Sequence, residues 1–135
     1  LLSIISKSKY RMPKYKLAHS IAIDDLALKT VKIGTLYPDH VVFLGAGPMN
    51  ILSINKLESF INKPSYVDSH PIVIVRGFGV VVFHNFSENS ESMLYCLASV
   101  LLRIKPNEKL SYLTQKDEID LMGWDAEKYR QSIQR

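Results

Sequence analysis

The alternation of apolar and polar stretches along the chain predicts strands that alternate with helices. The two most apolar runs, residues 71–75 and 80–83, lie on either side of the "RGFG" stretch at residues 76–79. Both runs are short and mostly β-branched, which favours two adjacent strands joined by a tight turn. A glycine in this turn, Gly77 or Gly79, can supply positive φ. The side chains expected in one hydrophobic layer are Val73, Val75, Val81 and Phe83.

A third apolar run, residues 41–45 ("VVFLG"), follows the turn-forming stretch "YPDH" at residues 37–40. Because the run is short, β-branched and bounded by turn residues, we predict a buried strand here. The glycine-rich stretch "GAGP" at residues 45–48 is predicted to be a loop.

Helical spacing and capping residues predict the remaining elements. Two of the helices have particularly clear ends: Pro106 ends the longest one, and Thr114 with Asp117 resembles an acidic capping box. Asp24 and Asp25 are expected to face solvent within the first helix. The predicted helices are residues 17–33, a segment capped by Ser53 that ends before Lys63, residues 88–104 capped by Ser87 or Ser90, a short helix from Thr114 through Leu121, and a last helix capped by Asp125.

This order of elements predicts a small layered α/β domain, with a mixed β-sheet and helices packed on it. The length of 135 residues corresponds to one domain with a substantial core. We expect residues 1–35 to form a basic linker and a leading helix, and residues 36–135 to form the α/β domain. The chain begins with Leu rather than Met, so we expect a piece of a longer protein.

The charge of the chain is concentrated in "KSKYRMPKYK", residues 7–16, which contains basic residues and tyrosines but no acidic residue. The chain as a whole has a net charge of +4. Cations interleaved with tyrosines are compatible with nucleic-acid binding, but no second basic stripe accompanies them. The favoured interpretation is a solvated linker without a nucleic-acid partner.

The single cysteine, Cys96, excludes an internal disulfide and a thiolate zinc site within this chain. It lies in an apolar helical pattern, where we expect a small buried side chain rather than a nucleophile. The four histidines show no metal-binding spacing, so no metal site is predicted here. No apolar run is long enough to span a membrane, and a cytoplasmic protein without a membrane partner is expected.

The "GAGPMN" stretch, residues 45–50, follows the predicted third strand and invites comparison with phosphate-binding loops. A dinucleotide fingerprint requires a third glycine that is missing here. Two readings stay open: an anion site made by backbone N–H groups, and a plain turn into the next helix.

Three longer stretches resemble the C-terminal region of the class II aldolase/adducin family, and the likeness covers residues 36–131. These stretches are "YPDHVVFLGAGP", "HPIVIVRGFGVVVF" and "YLTQKDEIDLMGWDAEKYRQ". The closest likeness is to larger bacterial members, in which such a region follows the catalytic domain. The resemblance implies a zinc-dependent, or other divalent-metal-dependent, lyase that cleaves carbon–carbon bonds of sugar phosphates.

The resemblance also indicates what this chain lacks. The family binds its metal with an H-x-H pair, a preceding acidic residue and a third histidine in a turn between two apolar strands. In this chain the "RGFG" turn occupies a similar place, and Phe78 stands at the histidine position. The H-x-H pair is absent from the sequence.

We therefore interpret the chain as the C-terminal domain of a class II aldolase-like protein, without catalysis of its own and without a cofactor in this chain. The residues predicted to contact a substrate anion are His40, Gly45, Gly47 and Arg76. The expected partners are another part of its own longer chain, a second copy of itself, and a sugar phosphate in the full-length protein. The alternative is a packing or oligomerisation module of the adducin type.

Overall fold

The computed structural model describes residues 1–6, 8–63, 71–125 and 132. These residues form helices packed with a four-stranded mixed sheet, as the sequence pattern predicts. The strands are β1 (Tyr10–Arg11), β2 (Asn50–Leu52), β3 (Ile72–Val75) and β4 (Gly79–Phe83). The helices are α1 (Leu2–Ile5), α2 (Ser20–Ile23), α3 (Asp25–Ile33), α4 (Pro38–Leu44), α5 (Ile54–Ile61), α6 (Glu88–Arg103) and α7 (Gln115–Asp120), with a 3₁₀ turn at Lys16–His19 and a π-helical turn at Leu121–Asp125.

The sheet has the strand order β1-β4-β3-β2. The β3–β4 hairpin is antiparallel, with Val73 opposite Val81, and β1 extends it on the outer side of β4. On the other side β2 runs parallel to β3, with Asn50 opposite Val73 and Leu52 opposite Val75. The hairpin therefore forms the centre of the sheet and is buried on both faces, which explains its continuous apolar runs.

The two faces of the hairpin contribute to different hydrophobic clusters. Because successive strand residues point to opposite faces, Ile72, Ile74, Val80 and Val82 pack against α2, α3 and α6. Val73, Val75 and Val81 pack with Phe83 against residues of α1 and α5. The prediction that these last four side chains share one layer is confirmed.

The hairpin turn has the glycine conformation that the sequence predicts. Gly77 adopts a φ of 79°, whereas Gly79 is the first residue of β4 and does not have positive φ. The backbone N–H of Gly77 donates to the carbonyl of Ala22 (2.8 Å), which holds the turn against α2. The Phe78 side chain at this turn is 54% exposed.

Several helix ends agree with the predicted caps. Ser87 caps α6, and its hydroxyl accepts a hydrogen bond from the N–H of Ser90. Thr114 and Asp117 form the reciprocal capping box of α7. Ser53 occupies the N-cap position of α5 without a side-chain hydrogen bond. The predicted last helix after Asp125 lies outside the described residues.

The predicted single helix at residues 17–33 is wrong. The 3₁₀ turn passes into α2, and the chain is then interrupted at Asp24, which has an extended conformation. The carboxylate of Asp24 accepts a hydrogen bond from the N–H of Ala27 and so starts a new helix, α3. An aspartate whose side chain accepts from a free backbone N–H favours the start of a helix over its interior. The spacing of apolar residues did not reveal the interruption at Asp24.

The predicted strand at residues 41–45 is also wrong, since this stretch lies in helix α4. Pro38 stands in the first turn, where its missing N–H costs no hydrogen bond, and Asp39 follows it. Val41, Val42 and Leu44 are buried, and α4 packs on α6. Burial on one helical face overrides the strand preference of the two valines. The strand in this part of the chain is β2, which comes after the glycine loop.

The linker interpretation of residues 7–16 is wrong for the residues that the structure describes there. Tyr10 and Arg11 form the edge strand β1, and Tyr10 is only 2% exposed. The Arg11 guanidinium bonds to the buried carboxylate of Glu91 on α6 at 2.7 Å, and the Lys14 backbone N–H donates to the same carboxylate. Arg11 and the backbone of Lys14 thus attach this segment to the domain. Residues before and after position 35 share one core.

Two further features concern the surface. Cys96 is exposed on α6 rather than buried, because it lies on the side of the helix opposite Leu94, Leu97 and Leu101. Within the described residues, no helix is both long enough and apolar enough to cross a membrane.

Candidate functional site

The candidate site is centred on the glycine loop that follows α4. Helix α4 ends at Gly45, and Gly45 and Gly47 have φ values of 103° and 79°, which only glycine adopts readily. Among the described residues, apart from the chain neighbours, no atom lies within 4 Å of the place where a Cβ would stand at either glycine. These glycines are therefore required for the path of the backbone and not for tight packing.

The loop contacts a carboxylate that belongs to the protein itself. The N–H of Gly47 donates to Oε2 of Glu118, and the hydroxyl of Thr35 donates to the same oxygen at 2.8 Å. Glu118 lies on α7 immediately after the capping box, and it is 9% exposed. Glu118 is therefore a buried carboxylate with two donors from distant parts of the chain, and not a surface charge. A backbone donor of the predicted anion loop is thus already occupied by an acidic side chain.

His40 lies in the same region and is 1% exposed. Neither of its ring nitrogens has a hydrogen-bond partner among the described residues. Burial lowers the pKa of His40 to about 4, and the negative charge of Glu118 opposes this shift only in part. The imidazole is therefore neutral at physiological pH and cannot serve as a cation for a substrate anion.

Tyr37 lies next to His40, with the two ring centroids 5.9 Å apart. Its hydroxyl is buried, and the part of the chain that the structure describes offers it no hydrogen-bond partner. Burial raises the pKa of Tyr37 to about 12, with smaller contributions from Cys96 and Asp39. Two neighbouring side chains thus hold unsatisfied polar atoms, an arrangement that costs free energy of folding and is uncommon in protein interiors.

A pocket of about 270 Å³ opens beside the Glu118 carboxylate. The loop contributes one wall of the pocket, and α7 with the π-helical turn contributes the other. Most of its lining is apolar. The lining residues are Ala46, Gly47, Gln115, Glu118, Ile119 and Met122.

The structure does not bring Arg76 to this loop. The loop precedes Asn50 at the start of β2, whereas Arg76 follows the end of β3, where Val75 pairs with Leu52. Because β2 and β3 run parallel, the loop and Arg76 lie at opposite ends of these strands. Arg76 is exposed at the hairpin turn, and its backbone N–H donates to the carbonyl of Leu52. Of the four predicted anion contacts, His40, Gly45 and Gly47 belong to one region and Arg76 to another.

The zinc or other divalent metal that the family resemblance implies does not fit the described residues. They contain no group of three or more histidine, cysteine, aspartate or glutamate side chains that could hold an ion. His40 lies close enough to Glu118 to feel its charge, but Thr35 and Tyr37 in the same region supply only hydroxyl groups. No metal-dependent step is therefore assigned to this part of the chain.

The sequence interpretation missed Glu118, Thr35 and Tyr37 as members of this region. The capping box of Thr114 and Asp117 indicated that Glu118, one residue later, lies in the first turn of a helix. No local signal pointed to Thr35, because its partner lies 83 residues later in the chain.

Comparison of the chain with known proteins gives no match: no protein-family model, no curated protein and no solved structure matches it.

Proposed function

We propose that the chain is the C-terminal domain of a class II aldolase-like protein and that it does not catalyse a reaction by itself. The parent reaction is metal-assisted retro-aldol cleavage of a phosphorylated sugar. The catalytic metal belongs to another part of the longer protein, and this domain packs against that part.

The observation that carries the proposal is the hairpin turn. Two apolar antiparallel strands are joined by a tight turn in which Gly77 has positive φ, and Phe78 and Arg76 are exposed on it. This backbone arrangement supports the resemblance to the family's metal turn. The phenyl ring at the position of the family's third histidine supports a domain without metal chemistry, since it offers no ligand atom.

The test compares this chain alone with the chain mixed with the polypeptide encoded directly upstream of Leu1. Each sample is incubated with zinc and a ketose phosphate, and the aldehyde product is measured. We expect no cleavage by the chain alone and cleavage by the mixture. Cleavage by this chain alone with stoichiometric zinc contradicts the proposal, and so does an upstream polypeptide that neither binds the chain nor becomes active.

A packing or oligomerisation module is the second candidate, and one observation on α6 favours it. Tyr95 and Leu102 are seven residues apart on the same side of this helix, and both are exposed. Light scattering of the purified chain tests this candidate. We expect Leu102→Glu to convert an oligomer into monomers, whereas Ile33→Glu, which changes an exposed side chain on α3, leaves the mass unchanged. A wild-type chain that is monomeric at high concentration contradicts this second candidate.

A further inference from the structure

The pocket beside the glycine loop combines apolar walls with one carboxylate. Ala46, Ile119 and Met122 supply apolar surface, and Ile119 is largely exposed although α7 is otherwise polar. Gln115 contributes the second polar side chain, at the start of α7. A cavity with apolar walls and few polar groups is the usual form of a small-molecule site.

The carboxylate of Glu118 has one oxygen in use and one available. Both protein donors, the Thr35 hydroxyl and the Gly47 N–H, bond to Oε2. Within the described residues no hydrogen bond reaches Oε1, and neither of the ion pairs there involves Glu118. The nearby His40 is held neutral by burial.

Glu118 is nine-tenths buried, and no cation among the described residues pairs with it. Such an arrangement is unfavourable, because the carboxylate loses hydration that two neutral donors replace only in part. A ligand that brings positive charge and N–H donors compensates for this loss. A phosphate or carboxylate ligand is repelled by the same charge. The charge of the pocket therefore selects against the anions that the sequence led us to expect at this loop.

We propose that this pocket binds a small primary ammonium compound with a short apolar body. The ammonium group donates to Oε1 of Glu118, and the apolar body lies along Ile119 and Met122. This inference goes beyond the proposed function and does not depend on it, since it concerns residues of this chain alone.

Three probes of nearly equal size separate the contributions of charge and shape: n-propylammonium, n-propanol and propionate. Each is titrated into the ¹⁵N-labelled chain at pH 7 and constant ionic strength, and the amide shifts of Gly47, Ile119 and Met122 are followed. We expect saturable shifts with n-propylammonium and a Kd in the range of about 1–10 mM, consistent with the small number of atoms in the probe. Binding of the alcohol and of propionate is expected to be at least about tenfold weaker.

The variant Glu118→Gln tests the carboxylate with little change in shape. Its amide oxygen can still accept from Thr35 and Gly47, while its NH₂ group replaces Oε1 and cannot bind an ammonium ion. We expect the n-propylammonium shifts to disappear and the rest of the amide spectrum to stay in place. Asp120→Asn is the matched control, since it removes one negative charge from an exposed position of the same helix outside the pocket lining.

A second variant, Ile119→Ser, keeps the test valid if Glu118→Gln does not fold. It shortens an exposed side chain and is expected to weaken n-propylammonium binding about threefold or more through the loss of apolar contact. Equal shifts with the alcohol and the ammonium probe overturn the proposal. Binding that persists in Glu118→Gln, or that is lost equally in Asp120→Asn, overturns it as well.

Discussion

Thr35 and Glu118 are 83 residues apart in the chain, and the hydroxyl of the first donates a hydrogen bond of 2.8 Å to the carboxylate of the second. Both residues are buried. The bond connects the segment between α3 and α4 with α7, and the same carboxylate oxygen also receives the N–H of Gly47. Glu118 therefore holds three separate parts of the chain together at the candidate site.

Removal of the Thr35 hydroxyl should destabilise the fold. Thr35→Val keeps the shape of the side chain and leaves the buried carboxylate with one donor fewer, so we expect a loss of about 1.5–3 kcal/mol in the free energy of unfolding. Urea denaturation measures this change. Thr30→Val is the control, because the buried Thr30 hydroxyl donates to the Leu26 carbonyl within its own helix and so connects no distant segments. Equal losses in the two variants contradict the special role of the Thr35–Glu118 bond.

The stability of the protein should fall in mildly acidic solution. Because the pKa of His40 is about 4 in the folded chain and near 6.5 in the unfolded chain, only the unfolded chain takes up a proton between these values. The free energy of unfolding should therefore decrease as the pH is lowered from about 6.5 to about 4, by about 3 kcal/mol in total. Burial also lowers the pKa of His19, which adds a decrease of the same sign.

The variant His40→Leu tests the origin of this pH dependence. It removes the buried ring nitrogens, and denaturation from pH 4 to 7 should show a flatter curve than the wild type. His84→Gln, a change at an exposed histidine, is the control. An unchanged pH dependence in His40→Leu contradicts the assignment.

Gly77 and Gly79 should resist substitution for different physical reasons. An added Cβ at Gly79 stands 2.6 Å from Nδ1 of His19, an atom that accepts the N–H of Val80. An added Cβ at Gly77 has no described atom within 4 Å apart from the chain neighbours, but the φ of Gly77 is positive. We expect Gly79→Ala to cost about 1–3 kcal/mol by crowding and Gly77→Ala about 1 kcal/mol by backbone strain.

Double variants with His19→Ala distinguish the two glycines in thermal denaturation. Removal of the imidazole should recover part of the loss caused by Gly79→Ala and none of the loss caused by Gly77→Ala. The same recovery at both glycines contradicts this explanation.

The attachment of the basic N-terminal segment should depend on Glu91. Glu91 is buried and accepts from both Arg11 and the Lys14 backbone, so Glu91→Gln is expected to cost about 1.5–3 kcal/mol. Glu88→Gln disrupts the exposed pair with Lys14 and should cause no measurable change. Limited proteolysis after Lys9 gives a second readout, and faster cleavage is expected only in Glu91→Gln. A segment that is equally resistant in both variants is not held by Glu91.

The sheet centre should show the cost of a lost buried side chain. Val75 is fully buried in the cluster with Val73, Val81 and residues of α5, and Val75→Ala should cost about 2–3 kcal/mol through lost burial and a residual cavity. Val100→Ala, at an exposed position of α6, should cost far less. Denaturant midpoints that are the same for both variants contradict the observed position of β3.

Part of the candidate site could be predicted from sequence. His40 and the glycines 45 and 47 are neighbours in the chain, so they are also neighbours in the fold. Arg76 does not join them, because the parallel pairing of β2 with β3 places it at the far end of these strands. Glu118 and Thr35 could not be assigned to the site from sequence, because residues that are 83 positions apart show no local pattern that indicates their contact.

The sequence by itself determined the elements whose signals are local: the hairpin with its glycine turn, a serine cap at the start of α6 (Ser87 or Ser90) and the capping box of α7. Backbone φ and short-range hydrogen bonds depend on residues a few positions apart, so the local sequence pattern indicates them. Only the tertiary structure decided that residues 38–44 form a helix and that Tyr10 and Arg11 add a strand to the sheet. In both places burial against distant residues outweighs local preference: α4 packs on α6, and the Arg11 guanidinium reaches Glu91.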